Sequence, residues 1–178
     1  SARMGIILQQ LLGVEAVRLY HDNVLSRVPL AGCVRSQWHC DDGPLKLMAM
    51  DSPHVVTVWI PLQQTSPDMG ALAFAPGLTA HDIASMPHCP QDEKSPEYDR
   101  FVTSVLEEHC LASGTPPDTF SYNLGDVSIH ATDVFHTTRP NHSDTVRMIL
   151  GVTYFDDGAV LRSDVSPEDM RPTQIREW

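Results

Sequence analysis

His39 and Asp41, two residues apart in the run Trp38-His39-Cys40-Asp41-Asp42-Gly43, have the most chemistry to offer in this sequence. If the run is extended, both side chains leave the same face, because side chains alternate along a strand. An imidazole beside a carboxylate supplies two of the three ligands of the 2-His-1-carboxylate facial triad, the open site of non-heme Fe(II) oxygenases. The third ligand has to be a distant histidine returned by the fold, and His136 is the candidate. His130 competes for that place, although a partly buried histidine bonded to backbone would read the same way. His136 is favoured because Arg147 follows it by eleven residues. After a turn, that spacing puts a guanidinium on the neighbouring antiparallel strand, facing the same cavity. A guanidinium there clamps a dicarboxylate through two parallel hydrogen bonds, which an ammonium does less well.

His-x-Asp alone is a weak signal. Nine histidines and 16 aspartates in 178 residues give about one such pair by chance. A second pair, His142-Ser143-Asp144, does occur, but it sits in a Pro-Asn-Ser turn with no later histidine to complete a triad. Asp42 points to the opposite strand face and is assigned to the surface or to hydrogen bonding behind the ligands. A zinc site built from Cys33, His39 and Cys40 lacks the paired spacing that structural zinc favours. The four cysteines form no CxxC pair, so they read as reduced thiols.

The elements that must position these residues are mostly strands. Residues 4–13 carry a short apolar run ending in Gly13, as a helix tail does. Val17–Leu25 reads as a strand, and His54–Leu62 is the clearest one, with Val55, Val56, Val58, Trp59 and Ile60 closed by Pro61. A short strand Ala71–Ala75 follows a polar turn. Residues 78–95 are rich in Pro, His and acid without periodicity, and read as a long loop or lid. Ser95-Pro96-Glu97 opens a helix through an N-cap, a Pro in the first turn and acid near the helix N-terminus. Phe101, Val105 and Leu106 form its expected apolar face, and Gly114 ends it. Phe120–Asn123 and Val127–His130 read as a hairpin, followed by strands Val134–Thr138 and Val146–Phe155. Beyond Asp157 the chain is polar and punctuated by proline, as a surface tail is. Many short strands with turns between them indicate a sandwich or barrel.

Composition narrows the partners. The apolar fraction of 42% and the length fit a single folded domain spanning 1–178. A formal net charge of −11 argues against nucleic acid or an anionic membrane surface as partner. No run approaches the roughly 20 apolar residues of a membrane span, and Ile6–Val14 is too short for one. The terminal Arg176-Glu177-Trp178 is not a peroxisomal address, so a cytoplasmic location is the expectation.

Taken together, several stretches carry a family resemblance. WHCDD at 38–42, TVWIPL at 57–62, Gly70 to Gly77, LGDV at 124–127, His136, Pro140-Asn141, Ser143-Asp144 and Arg147 occur in the order found in phytanoyl-CoA dioxygenase-like proteins. The chain resembles that family from about Val17 to Phe155. The resemblance implies a mainly β protein, a double-stranded β-helix (jelly-roll, cupin-like) with a few flanking helices. It also implies Fe(II) and 2-oxoglutarate as cofactor and co-substrate, with O2. His39, Asp41 and His136 match the iron ligands, and Arg147 matches the partner of the distal 2-oxoglutarate carboxylate. Thr138 falls where the family places a small hydroxyl, and Trp59 and Asn23 align with further positions on the 2-oxoglutarate side. Halogenating relatives replace the ligand carboxylate by a small residue. Asp41 therefore points to hydroxylation, or to a related desaturation or ring closure, releasing succinate and CO2.

The sequence also departs from the family pattern. Gly77-Leu78-Thr79 stands where relatives often have Gly-Ser-His, and Arg27 stands where they carry a Lys. Relatives carry additional helices before a Val17-like strand, and the expectation from the resemblance is that these are missing or shortened in the sequence read here. The expected substrate is a small molecule, and an acidic chain is an unpromising partner for a polyanionic CoA ester. Arg35, Lys46 and Arg139 could meet an anionic substrate, with surface solvation as their ordinary role. The alternatives are a cupin-like metalloprotein with other chemistry and a member that only binds ligand.

Overall fold

The computed structural model describes residues 2–29, 35–41, 50–51, 54–75, 77–90, 92, 95–114 and 118–161. The order is α1 (Ala2–Leu12), β1 (Val17–Arg27), β2 (Met50–Asp51), β3 (Val56–Pro61), β4 (Leu72–Ala75), α2 (Ala80–Ala84), α3 (Pro96–Ser113), β5 (Asp118–Thr119), β6 (Ser128–Ala131), β7 (Phe135–Thr138), β8 (Arg147–Asp156) and β9 (Val160–Leu161). Two antiparallel sheets make a mainly β jelly roll: one ordered β1-β8-β3-β6, the other β5-β4-β7. A separate two-stranded ladder joins β2 to β9.

Alternation along each strand decides what lies between the sheets. On β3, Val58 packs outward against Leu8 of α1, while Trp59 faces in and clusters with Ile149, Ala71, Leu72 and Tyr122. On the smaller sheet, Ala73, Ala75 and Phe135 face outward beneath α3, in a cluster with Tyr98, Val102, Leu106 and Cys110. Leu72 and His136 alternate with them and face in. Helices thus cover the outer faces of both sheets, and the interior between the sheets is left for the functional side chains.

The helices form for local reasons. The Ser95 side chain accepts a hydrogen bond from the Tyr98 amide at 3.1 Å, with Pro96 in the first turn and Glu97 and Asp99 beside the helix N-terminus. Such a cap contributes about 1 kcal/mol. The buried stripe of α3 is Tyr98, Val102, Leu106 and Cys110. The expected face is therefore rotated: Leu106 belongs to the stripe, while Phe101 and Val105 flank it, partly buried.

Two expectations are corrected. The stretch 78–95 contains α2, nucleated by a reciprocal capping box between Thr79 and Asp82, and Ile83 of that helix is buried in the core. It is not one long loop. The expected hairpin does not form either: β6 pairs with β3 in the larger sheet, whereas Tyr122 bridges to Thr65. Among the described residues, no helix is long and apolar enough to cross a membrane.

Candidate metal centre

His39 and His136 are brought together by backbone. Their main chains exchange two hydrogen bonds, His39 N to His136 O at 3.1 Å and His136 N to His39 O at 2.9 Å. This antiparallel bridge extends the smaller sheet by the segment carrying His39. It sets the two rings 4.3 Å apart, centroid to centroid. Each ring is oriented from behind in the same way. Nδ1–H of His39 donates to Gln37 O at 2.9 Å, and Nδ1–H of His136 donates to Val134 O at 3.0 Å. With Nδ1 committed as donor, Nε2 of each ring carries the free lone pair, which is the arrangement of a metal-binding histidine.

Asp41 completes the group from the turn after His39. One carboxylate oxygen, Oδ1, lies 3.7 Å from His136 Nε2. The other, Oδ2, accepts a hydrogen bond from Thr57 Oγ1 at 2.6 Å and lies 3.5 Å from His130 Nε2. One ligand atom from each of His39, Asp41 and His136 falls within 4.8 Å of the others. This donor set, two imidazoles with free Nε2 atoms and one carboxylate on one side of a cavity, fits a single divalent first-row ion with positions left open.

The electrostatics fit the same picture. Burial works to raise the Asp41 carboxyl, but the approach of His130, the hydrogen bond from Thr57 and the charge of the nearby imidazoles hold it well below the usual carboxylate range. Burial pushes His136 down to about 3, helped by His39 and opposed by Asp41. At neutral pH the centre thus presents an ionised carboxylate and a neutral His136, the protonation states a metal requires.

Arg147 opens β8 and is 3% exposed. Its guanidinium carbon lies 5.6 Å from the Trp59 ring centroid, and Trp59 packs in turn on Tyr122 at 4.9 Å. Arg27 is its cross-strand partner on β1. Burial first, and then the neighbouring Arg27 charge, lower Arg147 to about 10, so it stays cationic at neutral pH. Its Nε is buried with no hydrogen-bond partner among the described residues. Two adjacent guanidiniums with an unused donor between the sheets could hold an anion.

The route to Arg147 differs from the spacing argument. His136 and Arg147 are not on neighbouring strands: β7 pairs with β4, and β8 with β1 and β3. Residues 139–146 cross from one sheet to the other. Thr138 ends β7, and its hydroxyl accepts from Arg27 Nη1 at 2.9 Å and bonds Ser36 Oγ at 3.0 Å. Asn23 lies across from Gly151 on β1 and is exposed, with no side-chain hydrogen bond to the cluster among the described residues. His142 and Asp144 occupy an exposed turn and, among the described residues, belong to no metal-ligating group. Arg35 is engaged by Asp99 and Thr103, consistent with a structural role. Asp42, Cys33 and Lys46 lie outside the described residues.

Sequence reasoning missed Thr57. A hydroxyl two residues before Trp59 in a Val-rich strand shares the inward face, and that alternation was the available signal. It also gave Arg27 no role beyond a departure from the family pattern.

Fold and site together define a jelly-roll protein with a candidate mononuclear metal centre between its sheets. The chain belongs to the phytanoyl-CoA dioxygenase (PhyH) family, whose model matches residues 3–149. No curated protein matches the sequence significantly. Among solved structures, it is similar to EctD from S. alaskensis, solved with 2-oxoglutarate and 5-hydroxyectoine (18% identity, TM-score 0.71, covering 97% of this chain and 55% of that one). It is similar to SnoN, a non-heme alpha-ketoglutarate-dependent epimerase from nogalamycin biosynthesis (18% identity, TM-score 0.64, 97% and 60%). It is also similar to SnoK, an alpha-ketoglutarate-dependent carbocyclase from the same biosynthesis (23% identity, TM-score 0.62, 88% and 56%). These likenesses establish the fold. The chain spans between 55% and 60% of the length of these three structures.

Proposed function

We propose that this chain is an Fe(II)- and 2-oxoglutarate-dependent dioxygenase that hydroxylates a small-molecule substrate. The observation that carries the reading is one interior holding both a metal-ready His39-Asp41-His136 cluster and a buried cation, Arg147, with an unused donor. Family membership supports it, as do structural neighbours whose own names state alpha-ketoglutarate dependence. In net terms, a C–H bond, O2 and 2-oxoglutarate become a C–OH bond, succinate and CO2.

His39, Asp41 and His136 would hold Fe(II) through Nε2, a carboxylate oxygen and Nε2. Bound iron supplies the redox chemistry that couples 2-oxo acid decarboxylation to oxidation of the substrate. The chain's residues do the rest. Arg147 pairs with the distal carboxylate of 2-oxoglutarate, and Trp59 holds the guanidinium against its ring face. Arg27 adds positive charge and is itself held by Thr138. The apolar cluster of Trp59, Leu72, Tyr122 and Ile149 keeps water from the interior.

The test is succinate formation by purified protein supplied with Fe(II), ascorbate and 2-oxoglutarate, beside Asp41→Ala and Arg147→Ala. Succinate from the wild type, lost in both variants, is the expected result. Folded, metal-loaded wild type that neither binds nor turns over 2-oxoglutarate would overturn the reading.

A further inference from the structure

The carboxylate of Asp41 has two oxygens, and the larger sheet treats them differently. Oδ2 accepts from Thr57 Oγ1 at 2.6 Å, and Thr57 Oγ1 lies 3.4 Å from Thr153 Oγ1. On the other side, His130 Nε2 approaches the same Oδ2 to 3.5 Å. Oδ1 is left facing His136. Thr153, Thr57 and His130 form one row across β8, β3 and β6, because Thr57 is the cross-strand partner of both others. The row lies on the inward face, directly against Asp41.

His130 needs an explanation of its own. It is 7% exposed, yet neither ring nitrogen has a well-formed hydrogen bond among the described residues. Its ring is wedged between Phe74 (5.3 Å) and His136 (4.6 Å). A buried polar group without a partner is costly, so a fold keeps one where the group has a task. Among the described residues, the carboxylate oxygen that Nε2 faces is Asp41 Oδ2.

Building on the metal-site reading above, we propose that Thr57 and His130 are positioning residues that pin Oδ2 of Asp41 and restrict the carboxylate to one-oxygen ligation. The chemistry gives this a purpose. Two histidines and one carboxylate oxygen would leave a bound iron with open positions for the 2-oxo acid and the remaining reactant. A carboxylate bound through both oxygens would take up one of them. With Oδ2 engaged by Thr57 and faced by His130, that position would stay open. The division of labour follows the sheets: the smaller sheet brings the two histidines, and the larger sheet orients the carboxylate.

The experiment uses Co(II) as an oxygen-stable probe, with affinity measured by calorimetry and coordination read from the visible ligand-field spectrum. Thr57→Val and His130→Asn should each weaken Co(II) binding about 10–100-fold. Thr57→Val should also alter the shape and intensity of the spectrum, and Thr57→Ser should restore both affinity and spectrum. A purely packing role predicts no spectral change and no rescue by the hydroxyl. Circular dichroism confirms folding, and Thr57→Ala with His130→Gln serves if either first variant fails to fold. Unchanged affinity and spectrum in folded variants would overturn the proposal. So would loss of all Co(II) binding in His130→Asn to the extent seen in His136→Ala, which would make His130 a ligand. Folded wild type that takes up no Co(II) would instead overturn the metal-site reading, and this inference with it.

Discussion

Replacing Gly70 by Ala should damage both the fold and the anion-binding end of the interior, and the structure separates the two contributions. Gly70 is buried at φ +82° after the turn Pro67–Met69, where its N–H donates to Pro67 O. A Cβ there would lie 2.7 Å from Arg139 O and 2.9 Å from Arg27 Cδ. The carbonyl cannot easily retreat, since the Arg139 amide is bonded to Ala71 O. The left-handed backbone alone costs Ala about 1–2 kcal/mol, and forcing atoms into a packed site adds about 1–3 kcal/mol. Gly114 provides the control, with φ +67° and nothing within 4 Å of the place an added methyl group would take. Gly114→Ala therefore meets only the backbone cost. At roughly 2–4 °C per kcal/mol for a chain of this size, Gly114→Ala should lower Tm by about 2–8 °C and Gly70→Ala by about 4–20 °C. The assay is thermal unfolding of metal-free protein followed by circular dichroism. Because the displaced atom belongs to Arg27, Gly70→Ala should also raise the KM for 2-oxoglutarate, whereas Gly114→Ala should not. Equal Tm losses in the two variants, with equal KM, would refute the steric argument.

Three further outcomes follow from the same structure. Arg147→Ala removes one partner of a buried charge interaction and should weaken 2-oxoglutarate binding by about 2–5 kcal/mol, with Arg147→Lys intermediate because it keeps charge but loses the fork; unchanged affinity by calorimetry would contradict the assignment. In metal-free protein, His136 is lowered from 6.5 to about 3, so between those values the unfolded chain holds a proton that the folded chain does not. Stability from this group is full above the unfolded value and is lost as pH falls through that window, and the depressed Asp41 acts in the same direction below 3.8; near pH 5 the His136 loss should be about 2 kcal/mol by urea titration. His136→Asn should flatten that dependence, and equal slopes would speak against it. Asn141 is 1% exposed and donates to Arg27 O at 2.8 Å and Thr145 O at 2.9 Å, so Asn141→Ala should cost about 1–3 kcal/mol, checked by its urea midpoint.

What the sequence revealed was local. The Val-rich run of β3 and the Ser95-Pro96 start of α3 are legible because pattern and capping act within a few residues. Strand partners were not, because pairing is settled by distant chain. β6 seeks β3 rather than the adjacent 120–123 segment, and residues 139–146 change sheets instead of turning back. The ligand candidates were readable from residue type and family order. Thr57, His130 and Arg27 gain their places only from cross-strand register, to Asp41 through β3 and β6 and to Arg147 through β1 and β8.

The most direct test of the central claim is an anaerobic titration of the metal-free protein with Fe(II) and then 2-oxoglutarate, watched for the weak visible metal-to-ligand charge-transfer band. An Fe(II)/2-oxoglutarate site should give a saturable band that is lost or displaced in Asp41→Ala and needs far more 2-oxoglutarate in Arg147→Ala. Absence of the band in folded wild type shown to hold one Fe(II) would contradict it.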